Sequence, residues 1–388
     1  MNRRNVCALL AVAVLPFFLA PRLAGGDNDK NSPIIPQLTP SPTFSDSTVP
    51  SNGDLNPYGV AFVPKGFPHG GPLRPDDIIV SNFNNSANLQ GTGTTIVRVN
   101  DGGAPTLFFQ GQPGLGLTTA LGVLSRGFVL VGNLPSLDGS GKCTAESGPG
   151  QNVGQGGLLV IDKNGNLVTT LASASLLNGP WDLTLKDEGH HARVFVANAL
   201  SGTVTRLDLR IAEHRGGEAA KNGDGKTEEP VVIEKSTQIA SGYVHRCDPA
   251  AFVVGPTGVA LDEEKDILYV SSTGDNEIFA IHNASERTSD AGTGHLVVQD
   301  SVHLHGPLGL VLARNGDLIS TQSDAVNPDP AHLSEIVEFT AAGKFVAEFS
   351  VDPTAGSAFG IALRSHGSGF VFATVDDTTA VLDIWVVH

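Results

Sequence analysis

The chain has 388 residues, and 40 aspartates and glutamates against 24 lysines and arginines give it a formal net charge of -16 at pH 7. Such an acidic surface repels nucleic acid and anionic lipid, so both are excluded as expected partners. The length alone would allow two domains, but no linker-like break divides the chain after its N-terminal region.

The N-terminus has the pattern of an export signal. Two arginines precede an apolar run, Val6 to Ala20, which is shorter than the roughly 20 residues that span a bilayer and is interrupted by Pro16. We interpret residues 1–24 as a signal peptide and expect a secreted or periplasmic protein with no membrane span. Residues 25–55 are rich in Pro, Ser, Asn and Asp, which predicts an extended leader with no core of its own.

The remainder, residues 56–388, repeats one short opening six times. In chain order the openings read NPYGVAF, LTTALGV, GPWDLTL, GPTGVAL, GPLGLVL and SAFGIAL. They align at Pro57, Thr118, Pro180, Pro256, Pro307 and Ala358. A β-rich run that ends in a polar residue follows each opening, then a turn and a third strand, and in most units a fourth strand.

Six units of four antiparallel strands, with Gly- and Asn-rich turns and no convincing helix, predict an all-β fold, a six-bladed β-propeller of four-stranded blades. The sixth unit stops at His388 after three strands. We expect its outer strand to come from within Thr43 to Leu55, so that an N-terminal strand closes the ring. The ends of the second strands, the loops after them and the links between blades then share one face, the mouth face of the central channel.

The fourth unit, PTGVALDEEKDILYVSSTGDNEIFAI, resembles the NHL-repeat propellers. It is also similar to the gluconolactonase and regucalcin group and, more distantly, to the streptogramin lyase propellers. The resemblance implies ligand binding at the channel mouth, and in gluconolactonase-like proteins a divalent ion held by a glutamate with Asn and Asp at the strand ends. The strand-end position corresponds here to Asn82, Asn133, Asn198, Ser272, Thr321 and Thr374.

None of these six residues is a carboxylate, which argues against a tight calcium site and against a general base for lactone hydrolysis. Two interpretations remain open for them. They cap turns through Asx-type hydrogen bonds, or they form a shared ligand-binding ring. The sequence therefore predicts no metal ligand and no cofactor, and a divalent cation such as calcium is implied only if the chain is a hydrolase or lyase.

Other candidate residues are single acids and histidines near the same face. Asp182 stands in a crowded inner strand where the other units have glycine or alanine, and we expect it to accept hydrogen bonds from backbone amides of the next blade. Asp376 and Asp377 follow a second strand, and His305 lies in a link between blades. Any metal or acid–base site would involve these residues.

Cys143 and Cys247 are the two cysteines beyond the proposed signal peptide. In an oxidising compartment they predict one disulfide, and two unpaired buried thiols are the alternative. Both lie in long loops on the predicted mouth face, so the bond would tether these loops into a partial lid.

The leading functional hypothesis is a secreted, noncatalytic propeller that binds a ligand, glycan, peptide or protein at its mouth face. An extracytoplasmic metal-dependent hydrolase of the lactonase kind, or a lyase, is the alternative, using Asp182, Asp376 or His305. A structural protein of the cell envelope is a third possibility, which needs no site. The hypotheses differ in whether carboxylates and histidines converge at the channel axis.

Overall fold

The computed structural model describes residues 32–99, 102–144, 149, 151–212, 229–322, 326, 336–354 and 356–388. Within these residues, strands form six four-stranded antiparallel sheets and one short hairpin. The sheets are the six blades of a β-propeller, as the repeat predicts. The proposed signal peptide lies outside the described residues. No helix in the described part of the chain is long and apolar enough to cross a membrane.

The first three blades run in chain order from the inner to the outer strand. Blade 1 consists of β2 (Leu55–Phe62), β3 (Ile78–Asn84), β4 (Thr95–Val99) and β5 (Thr106–Gln110). Blade 2 consists of β6 (Leu117–Leu124), β7 (Phe128–Asn133), β8 (Gly157–Asp162) and β9 (Leu167–Leu171). Blade 3 consists of β10 (Pro180–Asp187), β11 (His191–Asn198), β12 (Thr203–Ile211) and β13 (Val231–Ser241).

The last blade differs from the other five because its outer strand precedes the rest in the chain. Blade 4 consists of β16 (Pro256–Asp262), β17 (Ile267–Ser272), β18 (Glu277–His282) and β19 (His295–Gln299). Blade 5 consists of β20 (Pro307–Leu312), β21 (Leu318–Gln322), β22 (Ile336–Phe339) and β23 (Phe345–Phe349). Blade 6 consists of β24 (Ala358–His366), β25 (Gly369–Asp376), β26 (Val381–Val387) and β1 (Phe44–Ser47).

The N-terminal segment joins the ring through blade 6, where β1 pairs antiparallel with β26. Ahead of β1, one turn of 3-10 helix, Ile35–Gln37, packs between blades 5 and 6. The buried carboxylate of Glu338 accepts hydrogen bonds from the backbone amides of Ile34 and Ile35, each at 2.8 Å. Both ends of the propeller sequence are thus held in one blade, and β1 covers the edge of β26 that would otherwise be the outer edge of the sixth sheet.

The hydrophobic core is divided among the six interfaces between neighbouring blades. Side chains alternate along each strand, so each sheet packs one face on the preceding blade and the other on the following blade. Six clusters of buried apolar side chains fill these interfaces in the described structure. A seventh cluster lies at the mouth face. Because the cores are shared, neighbouring blades stabilise one another.

Every inner strand is irregular close to its start. Its pairing with the second strand skips one to three residues within the first few positions of the strand. Four blades have glycine at this irregularity: Gly59, Gly258, Gly309 and Gly360. A methyl group on Gly360 would lie 1.7 Å from the carbonyl oxygen of Tyr58, and one on Gly258 would lie 2.3 Å from that of Leu308. The absent side chains let neighbouring inner strands approach around the channel.

The link between blades 3 and 4 forms a hairpin, β14 (Arg246–Asp248) and β15 (Phe252–Val254), on the mouth face. Cys247 in β14 forms a disulfide with Cys143 of the blade 2 loop, and their Cα atoms are 5.0 Å apart. Gln90 of blade 1 also holds the hairpin, since its side chain donates to the carbonyl of Ala250 at 2.8 Å. The hairpin is therefore attached to two blades besides the two that it connects.

Candidate functional site

The strand-end positions of blades 5 and 6 differ from the sequence alignment. In blades 1 to 4 the residues paired with the inner strand directly before its irregularity are the expected ones: Asn82, Asn133, Asn198 and Ser272. In blade 5 this residue is Gln322 rather than Thr321, and in blade 6 it is Asp376 rather than Thr374. The inner-strand bulge shifts the pairing by a number of residues that varies between blades. The residue paired at this position in blade 6, Asp376, is therefore a carboxylate, although none of the six residues aligned by sequence is one.

The strand-end side chains hold turns and loops. The Oδ1 atom of Asn198 accepts a hydrogen bond from the backbone amide of Asn178 at 3.0 Å, and its Nδ2 atom donates to the hydroxyl of Thr205 at 3.1 Å. The remaining members are also hydrogen-bonded to nearby strands and loops: Asn82, Asn133, Ser272, Gln322 and Asp376. They lie one in each blade, and none is among the described residues that line the channel cavity or the mouth cavity, which are described below.

The side chains of Thr321 and Thr374 form hydrogen bonds with backbone groups at the inner-strand bulges. The Thr321 hydroxyl accepts from the backbone amide of Gly309 at 2.8 Å and donates to the carbonyl of Phe359 at 2.6 Å. The Thr374 hydroxyl donates to the carbonyl of Gly360 at 3.1 Å. A bulge removes these backbone groups from the strand ladder, and the two buried hydroxyls satisfy them instead.

His305 is fixed in the link between blades 4 and 5. Its Nε2 atom lies 2.9 Å from the carbonyl oxygen of Val302, and its backbone amide donates to the side chain of Gln322. The residue is buried and is not among those lining either central cavity. The structure therefore does not join His305 to the other predicted site residues.

Asp182 lines a cavity of about 280 Å³ in the central channel, whose walls are the inner strands. Its carboxylate accepts hydrogen bonds from the backbone amides of Val259 in blade 4, at 3.1 Å, and of Leu183, at 2.8 Å. The pairing with the next blade is the one that the sequence predicted. Burial raises the pKa of Asp182 to about 8, and the two amide hydrogen bonds oppose this shift only in part.

We expect Asp182 to lower the stability of the fold as the pH rises. An aspartate in the unfolded chain titrates at about pH 4, whereas Asp182 in the folded protein titrates at about 8. Between these values the folded state holds a proton that the unfolded state has lost, so a rise in pH favours unfolding. The side chain is partly exposed to the channel. We therefore expect the free energy of unfolding to fall by roughly 2 kcal/mol over this pH range, which is less than a fully buried carboxylate would give.

The variant Asp182→Asn should remove this pH dependence, since it keeps the shape of the side chain and cannot ionise. Denaturant unfolding at about pH 5 and about pH 9 gives the difference in unfolding free energy for each protein. Asp138→Asn, at an exposed loop carboxylate, is the matched control and should keep the wild-type slope. Equal slopes for Asp182→Asn and the wild type would contradict the prediction.

A second cavity, of about 310 Å³, lies at the mouth face and is called the mouth cavity below. Five of the six inner strands contribute to it the residue directly after the aligned repeat position: Tyr58, Trp181, Thr257, Leu308 and Phe359. The other residues of the cavity that matter below come from the ends of two blade 1 strands and from loops and links: Asn56, Asn84, Asn88, Gln90, Ala250, Ala251 and Asp377. Apart from Asp377, sequence reasoning missed this set. The position directly after the aligned residue varies within an otherwise regular opening, and this variation could have indicated the site.

Aromatic rings form one wall of the mouth cavity. The Tyr58 ring stacks on Phe83 and on Phe359, with centroid distances of 4.7 and 4.8 Å. Trp181 meets Tyr58 and Phe83 edge-on, at 5.6 and 5.5 Å. Phe252 of the hairpin packs edge-on against Phe83 at 5.8 Å. These mutual contacts fix the ring orientations and give the cavity a preformed shape.

Three polar atoms of the mouth-cavity residues are buried and have no hydrogen-bond partner among the described residues. They are Trp181 Nε1, Asn56 Oδ1 and Asn84 Oδ1. Their residues are only 3%, 7% and 2% exposed, respectively. A buried polar group without a partner costs about 1–3 kcal/mol, so such groups are rare in folded proteins. Three of the fourteen such atoms in the described structure belong to residues that line this one cavity.

Asp377 is the one carboxylate among the described residues lining the mouth cavity. Burial and, to a smaller extent, the neighbouring charge of Asp376 raise the pKa of Asp377 to about 6. No lysine, arginine or histidine is among these lining residues. The sequence prediction gave Asp376 as the binding residue, but Asp376 accepts hydrogen bonds within its own turn from Thr378 and Thr379. The next residue along the chain is the one that lines the cavity.

The described residues supply few charged ligands for a metal ion. Among them, no group of three or more His, Cys, Asp or Glu side chains is arranged to hold one. The mouth cavity combines one carboxylate with neutral amide oxygens, whereas calcium sites gain affinity from several charged oxygens. This donor set does not fit the divalent-ion site that the gluconolactonase resemblance implies.

No protein-family model and no curated protein matches the sequence. Among solved structures, a gluconolactonase from Xanthomonas campestris is 14% identical, with a TM-score of 0.50 over 86% of each chain. A calcium-binding regucalcin from Agrobacterium tumefaciens is 13% identical, with a TM-score of 0.50 over 90% of this chain and 96% of that chain. A catalytically inactive virginiamycin B lyase from Staphylococcus aureus, solved with quinupristin, is 14% identical, with a TM-score of 0.46 over 88% and 87%. The first two likenesses establish a shared propeller fold, and a shared fold does not establish an activity.

Proposed function

We propose that the protein is a secreted or periplasmic β-propeller that binds a small polar organic ligand in the mouth cavity. The observation that carries this proposal is the coincidence, in one cavity, of aromatic walls with three buried polar atoms that have no partner in the described structure. Ligand sites are commonly of this kind, mostly apolar with a few polar groups that fix orientation. The proposed export rests on the signal-like N-terminus and on the disulfide.

The mouth cavity is a better candidate than the channel cavity. Asp182, the ionisable residue of the channel cavity, has both carboxylate oxygens hydrogen-bonded to backbone amides. At the mouth cavity, by contrast, three side-chain atoms of the lining residues have no partner in the described structure. Its volume of about 310 Å³ also falls at the small end of ligand pockets, which run from about 300 to 1,000 Å³.

One observation favours a second candidate, a hydrolase of the lactonase kind. With its pKa raised to about 6, Asp377 could accept a proton near neutral pH, as a general base must. The propeller fold is shared with a gluconolactonase. Binding remains the primary proposal because the described residues lining the mouth cavity include no histidine and no second acid to complete a catalytic set.

The proposal is tested by blocking the mouth cavity from its rim. Ala251 lies in the turn of the hairpin, so Ala251→Trp should fill the cavity without altering its aromatic wall. A panel of amines, sugars, lactones and amino-acid amides is screened by thermal unfolding, and lactone hydrolysis is followed in parallel. We expect at least one compound to raise the unfolding temperature of the wild type and not of the variant, because a ligand stabilises only the state that binds it.

The matched control is Ala341→Trp, in an exposed turn of blade 5, which should respond to the same compounds as the wild type. A panel that stabilises neither protein would contradict the proposal, as would a stabilisation that Ala251→Trp retains. Hydrolysis of a lactone by the wild type and not by Ala251→Trp would favour the second candidate.

A further inference from the structure

The charges of the mouth cavity are unbalanced. Asp377 lines the cavity with no basic side chain among its described neighbours there, and Asp376 lies directly beside it. The whole chain is acidic as well, with a net charge of -16. A carboxylate removed from water needs a hydrogen-bonded counter-charge, and a negative field attracts cations and repels anions. Both effects favour a positively charged ligand.

The unpartnered atoms favour a ligand with more donors than acceptors. Asn56 Oδ1 and Asn84 Oδ1 are acceptors, and Trp181 Nε1 is a donor. The orientation of Asn84 is set by its own amide, which donates to the Oδ1 atom of Asn88 at 2.7 Å and leaves the oxygen without a partner among the described residues. With the Asp377 carboxylate, acceptors dominate the cavity. An ammonium group brings only donors, which suits them.

The aromatic wall of the mouth cavity also favours a positively charged ligand. Trp181 and Phe359 both line the cavity, and the faces of aromatic rings attract ammonium ions. Their apolar surface also favours a ligand whose charged group is attached to a hydrocarbon body. A small inorganic ion would leave that surface uncovered.

We propose that the mouth cavity binds an organic ammonium ion, with the ammonium group at Asp377, Asn56 and Asn84 and an apolar body against Trp181 and Phe359. This inference rests on the proposed function and narrows its ligand class. A further acceptor on the ligand, such as a hydroxyl or carbonyl, would pair with the indole N–H of Trp181.

The test compares three probes of nearly equal shape and different charge: benzylamine, benzyl alcohol and benzoate. Each is titrated calorimetrically into the full mature chain at about pH 8, where an aspartate whose pKa is raised to about 6 is ionised. We expect benzylamine to bind at least about tenfold more tightly than benzyl alcohol, as charge-assisted hydrogen bonds are the stronger ones, and benzoate to show no binding.

The variant Asp377→Asn separates the role of the carboxylate from that of cavity shape. It should weaken benzylamine binding at least about tenfold and change benzyl alcohol binding by less than about threefold. Asp138→Asn changes the net charge equally on the same face without lining the mouth cavity, so it should bind benzylamine like the wild type. Because the probe series also compares charges on the wild type alone, the test does not depend on the folding of a variant.

The outcomes distinguish this inference from the proposed function. If benzyl alcohol binds as tightly as benzylamine and Ala251→Trp abolishes both, the cavity binds ligands but does not select cations, and the inference is wrong. Stoichiometric calcium binding that displaces benzylamine would also overturn it, in favour of a metal site. If Ala251→Trp and Asp377→Asn both leave benzylamine binding intact, the probe binds elsewhere and the inference fails. If no probe and no panel compound binds, the proposed function fails as well.

Discussion

Replacing Gly360 with alanine should destabilise the protein by about 3 kcal/mol, because there is no room for the added methyl group. Its carbon atom would lie 1.7 Å from the carbonyl oxygen of Tyr58 and 2.9 Å from the carbonyl carbon. Both obstacles are backbone atoms of blade 1, so a side-chain rotation cannot relieve the contact. Blades 6 and 1 would have to separate at the channel axis.

Denaturant unfolding of the wild type and Gly360→Ala measures this effect. Gly66→Ala is the matched control, since the nearest atom to its methyl group would be Ser125 Cβ, at an ordinary contact distance of 3.6 Å. We expect the control to lie within about 0.5 kcal/mol of the wild type. A loss below about 1 kcal/mol for Gly360→Ala would show that the inner strands are less closely packed than the structure indicates.

The same substitution should also disturb the mouth cavity. Gly360 follows Phe359, and the carbonyl that it would displace belongs to Tyr58, so the methyl group would separate two stacked rings of the aromatic wall. The closeness of the inner strands and the shape of the mouth cavity thus depend on the same contact. In the repeat, the crowded position directly follows the variable position that lines the mouth cavity.

The fold was predictable because its signal is repeated and periodic. Alternating apolar residues in four short runs per unit specify strands packed on both faces, and six similar openings specify the number of blades. The ends of the second strands were less predictable. Thr321 and Gln322 are both polar and adjacent, and the bulge that decides which of them faces the aligned residue leaves no mark in the sequence.

The candidate site was only partly predictable. The carboxylate of Asp182 was placed correctly because a charge in a crowded strand must find partners, and backbone amides of the next blade are the nearest. The sequence analysis did not find the mouth cavity, because Tyr58, Trp181 and Phe359 are of residue types that ordinarily fill a hydrophobic core. Tyr58 and Trp181 are indeed buried and Phe359 is partly buried, and only the three-dimensional arrangement shows which polar atoms lack partners.

Removing the disulfide should have an effect at least as large as the glycine substitution. Cys143 and Cys247 are 104 residues apart, so the bond closes a long loop around blade 3. In the chain-entropy model, a loop of about 100 residues contributes up to about 4.7 kcal/mol, and measured effects are commonly about 2–4 kcal/mol. We expect the double variant Cys143→Ala with Cys247→Ala to lose about 3 kcal/mol of unfolding free energy.

The measurement is denaturant unfolding of the wild type and of the double variant, each with and without a thiol reductant. The reductant should lower the midpoint of the wild type and leave that of the double variant unchanged, which controls for effects of the reductant elsewhere. If the double variant and the oxidised wild type have the same midpoint, the bond does not stabilise the folded state.

The disulfide should also affect ligand binding, and the two effects can be separated. Cys247 belongs to the hairpin that supplies Ala250 and Ala251 to the mouth cavity, and this hairpin is otherwise tied to blade 1 by the hydrogen bond from Gln90. The stabilisation of the whole fold arises mainly in the unfolded chain, whereas the position of the hairpin belongs to the folded state. Under conditions where the double variant remains fully folded, weaker binding would therefore report on the hairpin alone, and unchanged binding would mean that Gln90 and the packing of Phe252 suffice to hold the cavity wall.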